Sequence, residues 1–249
     1  MTTVPLVITG SESHVVLSPH FDDAVLSRGA LISHWRRTGA AVTVVTVFTA
    51  SPVGPLSIAA QEDRRRYGGA DPSAVREEED QCASSLLSFD RVFLDLPEVL
   101  HRRRPDGRPR CQDLNDIFGG LEPGDDAVIE QVADALSAVL TSTSPAYFHV
   151  PLGIGDHIDH QIARRGAEAA WGAAEEHRPR LAYYEELPYA FTTGPRDDVA
   201  YSWPVDDADI ERWIEAIECY PSQIEIMFRE EWATSFRRWP ALSRSVAPH

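Results

Sequence analysis

The sequence predicts an α/β fold, a Rossmann-like open and mostly parallel sheet with helices on both faces. Short apolar segments alternate with longer segments of helical periodicity, which is the pattern of βαβ units. Several short segments are β-branched and nearly uninterrupted, as expected of strands buried on both faces. The chain has 249 residues, which is enough for one such domain with a substantial core.

Five strands are predicted, in order, from short runs of apolar and β-branched residues. The run HVVLS predicts a strand over 14–18, and AVTVVTVFT predicts a buried strand over 41–49. The runs RVFLDL, AYFHVP and RLAYYE predict further strands over 91–96, 146–151 and 180–185. Segments long enough to hold helices separate these runs, so parallel strands with crossover helices are expected.

Helices are predicted where apolar residues recur at helical spacing. In the first of them, Val25, Leu26 and Ala30 fall on the inward face. In the fourth, Ile162 and Gly166 lie one turn apart on such a face. The predicted helices cover residues 23–37, 74–87, 126–140, 159–171 and 210–219.

Two segments show neither helical nor strand periodicity and are predicted to be surface loops that lie near the ligand or are locally mobile. Residues 51–71 are rich in Pro, Gly and charge, and residues 101–110 (HRRRPDGRPR) contain five arginines. The arginine-rich loop suggests a phosphate- or nucleotide-linked substrate as one hypothesis and a solvated insertion as the other.

Composition and charge argue against several classes of protein. A formal net charge of −16 disfavours nucleic acid and anionic membrane as general partners. No run approaches the roughly 18 apolar residues that span a bilayer, and the N-terminus lacks the pattern of a signal peptide. Cys82, Cys111 and Cys219 lie far apart without CxxC spacing, which argues against a disulfide framework or a cysteine metal site. We therefore expect a cytoplasmic protein with one domain over 1–249, extended at its C-terminus from about residue 200.

Two clusters of polar residues follow predicted strands. His20, Asp22 and Asp23 come directly after the strand at 14–18. The sequence Asp-His-Ile-Asp-His over 156–160 comes soon after the strand at 146–151. In an open parallel sheet, ligands bind at the carboxyl ends of the strands, so the clusters converge if these two strands are neighbours.

Metal binding is the most economical explanation for such a convergence. Buried imidazoles and carboxylates at close quarters are unfavourable unless they are paired or bound to a cation. Two histidines and one carboxylate form a common catalytic zinc set that leaves a position for water, which zinc activates near neutral pH. A second carboxylate can accept the proton of that water, and a third histidine can stabilise an oxyanion. Zinc is therefore the expected ion, with Fe²⁺ as the alternative.

With these motifs, the sequence resembles the LmbE-like, or PIG-L-like, zinc N-deacetylases. The run SPHFDDA at 18–24 is similar to the family's (A/S)HPDDE, and HIDH at 157–160 is similar to its HPDH. Weaker similarities are REEE at 76–79 to an RxxE helix, FLDLP at 93–97 to a FLDLPD strand, and YPSQ at 220–223 to a YxSQ element. The resemblance covers at least residues 14 to 223. It implies removal of an N-acyl group, most simply acetyl, from an amino sugar such as an N-acetylglucosamine derivative.

The resemblance also implies roles for individual residues. His20, Asp23 and His160 would be the zinc ligands, and Asp22 the general base that takes a proton from the attacking water.

His157 would be the acid and oxyanion partner, with Asp159 orienting it or tuning its proton affinity. Arg76 would contact sugar hydroxyls, or alternatively form a helix-surface ion pair with Glu79 or Asp80.

Two departures from the family pattern leave other functions open. Phe21 stands where the family has proline, and Ala24 stands where it has glutamate. The alternatives are a catalytically silent sugar-binding homologue and an amidase acting on a thiol–sugar conjugate or an acylated natural-product intermediate. A non-haem iron oxygenase with an HxD triad is also conceivable, although the βα alternation opposes its usual all-β fold.

Some residues outside the motifs are assigned provisional roles. His34 is expected to be solvated on a helix surface, and His149 to be structural. A group of late tryptophans suggests either a sugar-stacking wall or packing in the core or between copies of a homo-oligomer. These tryptophans are Trp203, Trp213, Trp232 and Trp239.

Overall fold

The structure is a computed structural model that describes residues 6–7, 10–174, 178–228, 232–239 and 241–246. Within these residues one mostly parallel sheet is flanked by helices on both faces, which confirms the predicted fold class. The strands are β1 Leu6–Val7, β2 His14–Ser18, β3 Val42–Thr46, β4 Asp90–Phe93, β5 Tyr147–Pro151, β6 Arg180–Tyr184, β7 Val199–Ser202 and β8 Arg244–Val246.

The helices of the described residues lie mainly between these strands. They are α1 Asp23–Arg37, α2 Ile58–Arg66, α3 Pro72–Leu87, α4 Asp126–Thr143, α5 Ile158–Ala173, α6 Ala190–Thr193, α7 Asp207–Ile217, α8 Pro221–Met227 and α9 Trp232–Arg237. Short 3₁₀ turns occur at Val99–His101, Leu114–Ile117 and Pro123–Asp125. In the part of the chain described here, none of the helices combines the length and the apolar character needed to cross a membrane.

All five predicted strands and all five predicted helices are present, with small differences at their ends. One such difference is at α7, Asp207–Ile217, which begins earlier than the predicted helix 210–219. Its start is set by a capping box, in which the Asp206 side chain accepts from the amide of Asp209 and the Asp209 side chain accepts from the amide of Asp206.

The prediction of a loop over 51–71 is wrong, because this segment contains helix α2. Ser57 begins the helix, and its side chain accepts a hydrogen bond from the amide of Ala60. Ala59 and Ala60 are buried in the same core cluster as Val45 and Val99, whereas most of the other helix residues are exposed. A short helix with so few apolar residues gives a weak periodic signal.

The strand order is β1-β7-β8-β6-β5-β2-β3-β4. From β2 the chain continues to β3 and β4 on one side, then returns to place β5 and β6 on the other side. Strands β2 and β5 are therefore parallel neighbours at the switch point, with His14 opposite Tyr147 and Val16 opposite His149. This topology creates a crevice at the carboxyl ends of β2 and β5.

Alternate strand residues support the two cores. Val16 and Val44 face the side covered by α1, α3 and α7, whereas Val15 and Val45 face the side covered by α4 and α5. Because side chains alternate along a strand, an uninterrupted apolar run fills both cores at once.

The tryptophans belong to the core. Trp203, Trp213 and Trp239 are buried, and Trp232 packs against the same cluster. The indole of Trp213 donates a 2.7 Å hydrogen bond to the carbonyl of Val25, and this bond connects α7 to α1. The sugar-stacking hypothesis is therefore wrong for these residues.

Two further expectations are corrected by the packing. Cys82 and Cys219 form a disulfide, with Cα atoms 5.7 Å apart, although 137 positions separate them in sequence. Sequence spacing did not reveal this pairing, because the packing of α3 against α7 brings the cysteines together. His34 is buried beside Asp209 rather than solvated, with Nδ1 3.4 Å from Oδ2.

Candidate metal centre

The two polar clusters meet at the crevice, as the sequence predicts. His20 and the start of α1 follow β2, and the start of α5 follows β5, so the pairing of these strands brings His20 and His160 together. Their ring centroids are 5.4 Å apart, and both side chains are buried.

His20, Asp23 and His160 form a compact set of candidate metal ligands. One ligand atom from each lies within 4.8 Å of the others. Oδ2 of Asp23 is 3.2 Å from Nδ1 of His20 and 3.3 Å from Nε2 of His160. That nitrogen of His160 is buried and has no hydrogen-bond partner among the described residues. An unsatisfied buried imidazole nitrogen beside a carboxylate and a second imidazole fits a divalent ion.

In a second group, His20, His157 and Asp159, one ligand atom from each residue likewise lies within 4.8 Å of the others. Asp159 is less available as a ligand, because its Oδ1 is 2.7 Å from Nη2 of Arg102. Its Oδ2 accepts a 3.0 Å hydrogen bond from the amide of Val99. These contacts already neutralise and orient the Asp159 carboxylate, so the set that contains Asp23 is the better candidate.

The charges of the ligand set are mutually stabilised. Although burial opposes it, hydrogen bonds to Asp159 and Asp23 raise the pKa of His20 to about 10. Burial also lowers the pKa of His160, but the nearby carboxylates of Asp23 and Glu186 outweigh this effect and raise that pKa to about 9. The two imidazoles in turn hold the pKa of Asp23 well below its usual range despite burial. The pocket therefore favours positive charge next to Asp23.

Asp22 is oriented by Arg76. It precedes α1 without capping the helix by its side chain, and instead Oδ1 accepts a 2.7 Å hydrogen bond from Nη2 of Arg76. Nη1 of Arg76 donates a 2.8 Å hydrogen bond to Glu98. Although burial opposes it, Glu98 and Asp22 raise the pKa of Arg76 well above its usual value. The alternative of a surface ion pair between Arg76 and Glu79 or Asp80 is wrong.

His157 is a neutral hydrogen-bond donor in this arrangement. Its Nδ1 accepts a 3.2 Å hydrogen bond from the amide of Asp159, so the ring proton is assigned to Nε2. Burial, with the nearby His160 and His20, holds its pKa well below the usual 6.5. The ring can therefore offer an N–H group to an oxygen in the cleft.

The Asp159 side chain contacts a different histidine from the one expected. Its Oδ2 is 3.1 Å from Nε2 of His20, whereas His157 is contacted by the main-chain amide of Asp159. Although burial opposes it, Arg102 and His20 hold the pKa of Asp159 below its usual range. Asp159 is therefore the carboxylate that contacts the ring of His20 at Nε2.

Two residues of the site were not anticipated from the sequence. Arg102 belongs to the arginine-rich loop, but no sequence feature distinguishes it from the other arginines there. Glu186 lies against His160, with Oε1 3.4 Å from Nδ1. It follows β6, so the rule that directed attention to the ends of β2 and β5 could have identified it.

An open cleft of about 360 Å³ lies over the centre. One part of its lining is polar and includes Asp63, Arg66, Tyr67, Arg76, Glu98 and Gln223. Another part is apolar and includes Leu114, Ile117, Phe118, Ile226 and Met227. Phe118 and Ile226 are 43% and 40% exposed, so two large apolar side chains border the cleft in contact with solvent. The cleft thus offers both polar and apolar surface to a ligand.

The sequence profile of the PIG-L family, described as GlcNAc-PI de-N-acetylase, matches residues 15–171. A 2'-N-acetylparomamine deacetylase from Niallia circulans is 26% identical over an alignment of 191 residues that covers 70% of this chain. The match spans 66% of that relative, just under two thirds of its length.

Solved structures show the same architecture. A teicoplanin deacetylase in its zinc-inhibited form superposes with a TM-score of 0.77 at 25% identity, covering 94% of this chain and 95% of that chain. An N,N'-diacetylchitobiose deacetylase from Pyrococcus horikoshii gives a TM-score of 0.62 over 93% of this chain and 78% of that one. At 15% identity, the second similarity concerns the fold alone.

The family profile covers more than half of the chain and includes both polar clusters, and the relatives are named as deacetylases. The chain therefore belongs to the PIG-L family of N-deacetylases.

Proposed function

We propose that this protein is a metal-dependent N-deacetylase that hydrolyses the N-acyl amide of an amino sugar within a larger glycoside. The observation that carries the proposal is the position of Asp22 beside a three-residue ligand set in an open cleft. His20, Asp23 and His160 supply ligand atoms within 4.8 Å of one another, and all three are buried. The sequence motifs and the family relationship support the same reaction.

His20, Asp23 and His160 would hold the ion, which we take to be zinc with Fe²⁺ as the alternative. Such an ion supplies Lewis acidity and makes water a nucleophile near neutral pH. The donor set of two imidazoles and one carboxylate is a common one for catalytic zinc.

Asp22 acts as the general base. Arg76 holds Oδ1, and no donor among the described residues binds Oδ2, which is left to accept the proton of the attacking water. After attack on the acyl carbon, Asp22 returns this proton to the departing nitrogen as the C–N bond breaks. This replaces the expected acid role of His157, because the lowered pKa of His157 leaves its ring neutral. The products are the free carboxylic acid and the amino sugar.

His157 stabilises the oxygen of the acyl group during attack. Its Nε2–H is the donor, and its lowered pKa means that the ring enters the reaction neutral. A preorganised donor aimed at a developing negative charge is worth about 10²–10³-fold in rate.

The two parts of the cleft lining support a substrate with both polar and apolar portions. We place the sugar hydroxyls against the polar part, where Arg76 and Gln223 are candidate hydrogen-bonding partners. We place an apolar aglycone, such as an aromatic group, against Phe118 and Ile226. The similarity to a teicoplanin deacetylase agrees with such a substrate, whereas a small sugar without an apolar portion would leave the apolar part of the cleft unused.

A phosphate- or nucleotide-linked substrate is a less favoured version of the proposal. Arg104 is bound by both oxygens of Glu122, and Arg110 lies near Glu122 and Asp125. These carboxylates already neutralise the arginine charges with which a phosphate group would have to pair.

The test is release of free amine from N-acetyl amino-sugar glycosides by the zinc-loaded protein. We expect Asp22→Asn to lose at least about 10²-fold in kcat while binding zinc with unchanged stoichiometry. We expect His160→Ala to lose zinc binding together with activity. His149→Asn is the matched control, because His149 is a buried histidine on β5 outside the cleft.

If the zinc-loaded protein releases no amine from any N-acyl sugar offered, the enzymatic proposal fails. Binding of the same sugars without turnover would support the silent sugar-binding homologue instead. Release from thiol–sugar conjugates alone would support the narrower amidase.

A further inference from the structure

Glu186 is a fully buried carboxylate placed two residues after the end of β6. Strand β6 is the parallel neighbour of β5, so Glu186 reaches the same crevice as the ligand set. A buried carboxylate is unfavourable unless it is hydrogen-bonded, so its partners show what holds it there.

Main-chain amides fix both oxygens of Glu186. Oε1 accepts a 2.6 Å hydrogen bond from Gly153, and Oε2 accepts hydrogen bonds of 3.0 and 3.4 Å from Leu152 and Ile154. These amides belong to the turn that leads from β5 to α5 and cannot rotate as side-chain donors can. The carboxylate is therefore held in position independently of His160.

The fourth contact of Glu186 is with His160. Oε1 is 3.4 Å from Nδ1, on the side of the ring away from Asp23. On the other side, Nε2 of the same ring is 3.3 Å from Oδ2 of Asp23 and lacks a hydrogen bond. His160 thus lies between two carboxylates, one outside the ligand set and one within it.

We propose that Glu186 is a positioning residue that, in the metal-bound protein, holds the single ring proton of His160 on Nδ1 and thereby leaves Nε2 to the metal. This proposal rests on the metal centre described under the proposed function, but not on the identity of the substrate. A carboxylate that accepts the distal N–H of a ligand histidine fixes its tautomer and increases its basicity. Loss of such a partner weakens metal binding by about 10–100-fold.

A purely structural role is the competing explanation, because Glu186 also closes the turn at Leu152–Ile154. A structural residue would lower the stability of the metal-free protein without a specific loss of zinc affinity. Zinc affinity and metal-free stability therefore have to be measured on the same variants.

The experiment compares Glu186→Gln with Glu185→Gln. Glu185 is the adjacent carboxylate, also buried, but it accepts from the amide of Arg196 and does not contact the ligand set. Zinc affinity is measured by competition with a chromophoric chelator, and the visible spectrum of the Co²⁺-loaded protein reports the ligand geometry. We expect Glu186→Gln to bind zinc about 10–100-fold more weakly with an altered Co²⁺ spectrum, and Glu185→Gln to match the native protein. Equal zinc affinity in Glu186→Gln and the native protein would overturn the proposal, as would equal losses in both variants.

A measurement on the native protein covers the case in which Glu186→Gln does not fold. Long-range ¹H–¹⁵N NMR of the zinc-loaded protein reports the tautomer of each imidazole. We expect His160 to carry its proton on Nδ1, and a proton on Nε2 would refute the role given to Glu186. If zinc binding and tautomer are as expected but no sugar is deacetylated, the proposed function fails and this inference stands.

Discussion

Arg76 donates a 2.7 Å hydrogen bond from Nη2 to Oδ1 of Asp22, and both side chains are buried at the edge of the cleft. The contact joins helix α3 to the residue that precedes α1, across 54 positions of sequence. It connects a residue expected to bind sugar with the residue expected to act as base. Arg76 is therefore placed to orient Asp22, whether or not it also contacts substrate.

Replacement of Arg76 should impair catalysis without removing the metal. We expect Arg76→Met to lower kcat by about 10–100-fold, because a misplaced general base forfeits part of its usual 10²–10⁴-fold contribution. Zinc stoichiometry should be unchanged. Arg66→Met is the control, since Arg66 also lines the cleft but makes no described contact with Asp22. An unchanged kcat in Arg76→Met would contradict the orienting role.

The buried pair of Arg102 and Asp159 should show strong energetic coupling. We expect Arg102→Met and Asp159→Asn each to lower the free energy of unfolding by about 3–5 kcal/mol, because either change leaves a buried polar partner unpaired. The double variant should lose clearly less than the sum of the two. Urea denaturation of the metal-free proteins measures this cycle, with Arg103→Met as the control on the exposed part of the loop. Additive losses would show that the 2.7 Å contact has little energetic weight.

The buried histidines of β2 and β5 should make the protein less stable in mild acid. Burial lowers the pKa of His14 from 6.5 to about 3, and burial also holds the pKa of His149 well below 6.5. Below pH 6.5 the unfolded chain takes up protons that the folded protein does not. The free energy of unfolding should therefore decrease as the pH is lowered below 6.5, by up to about 1.4 kcal/mol per pH unit for each histidine.

His14→Phe tests this dependence, because a phenyl ring can keep the stacking against Trp35 while removing the titration. Urea denaturation between pH 4 and 7 should give a slope smaller by about one proton than that of the native protein. An identical slope would mean that His14 is protonated in the folded protein as readily as in the unfolded chain.

The disulfide should contribute to stability more than to chemistry. Cys82 and Cys219 close a long loop and join α3 to the segment after α7, and neither belongs to the ligand set. We expect Cys82→Ser to lower the free energy of unfolding by about 2–5 kcal/mol, measured by urea denaturation under non-reducing conditions. Dithiothreitol should destabilise the native protein to the same extent and leave Cys82→Ser unaffected. If dithiothreitol destabilised both proteins equally, its effect would not come from reduction of the disulfide between Cys82 and Cys219.

The apolar part of the cleft should discriminate between substrates. We expect Phe118→Ser to raise KM for aryl glycosides of N-acetyl amino sugars by about 10-fold, because it removes part of the about 1.5–3 kcal/mol that full burial of such an apolar side chain contributes. KM for the corresponding free sugar should be unchanged. Val53→Ser is the control, because Val53 is a more exposed apolar residue outside this cleft. Equal changes in KM for both substrates would show that the aglycone does not bind at this surface.

Much of the fold was predictable because its signals are local. The β-branched run that forms β3 and the helical spacing that forms α5 involve contiguous residues, whose periodicity indicates both the element and its buried face. Helix α2 was missed for the same reason, since it has few apolar residues and begins at a single capping serine.

The sequence by itself determined the fold class, the convergence of two polar clusters at the carboxyl ends of the strands and the candidate ligands there, because motif and strand are contiguous in the chain. Tertiary structure alone decided which further side chains contact those candidate ligands. Asp159 contacts His20 rather than the expected His157, Glu186 supports His160, and Cys82 meets Cys219. Each of these contacts joins distant segments through the packing of strands and helices, and such a distance depends on the whole fold rather than on local residue order.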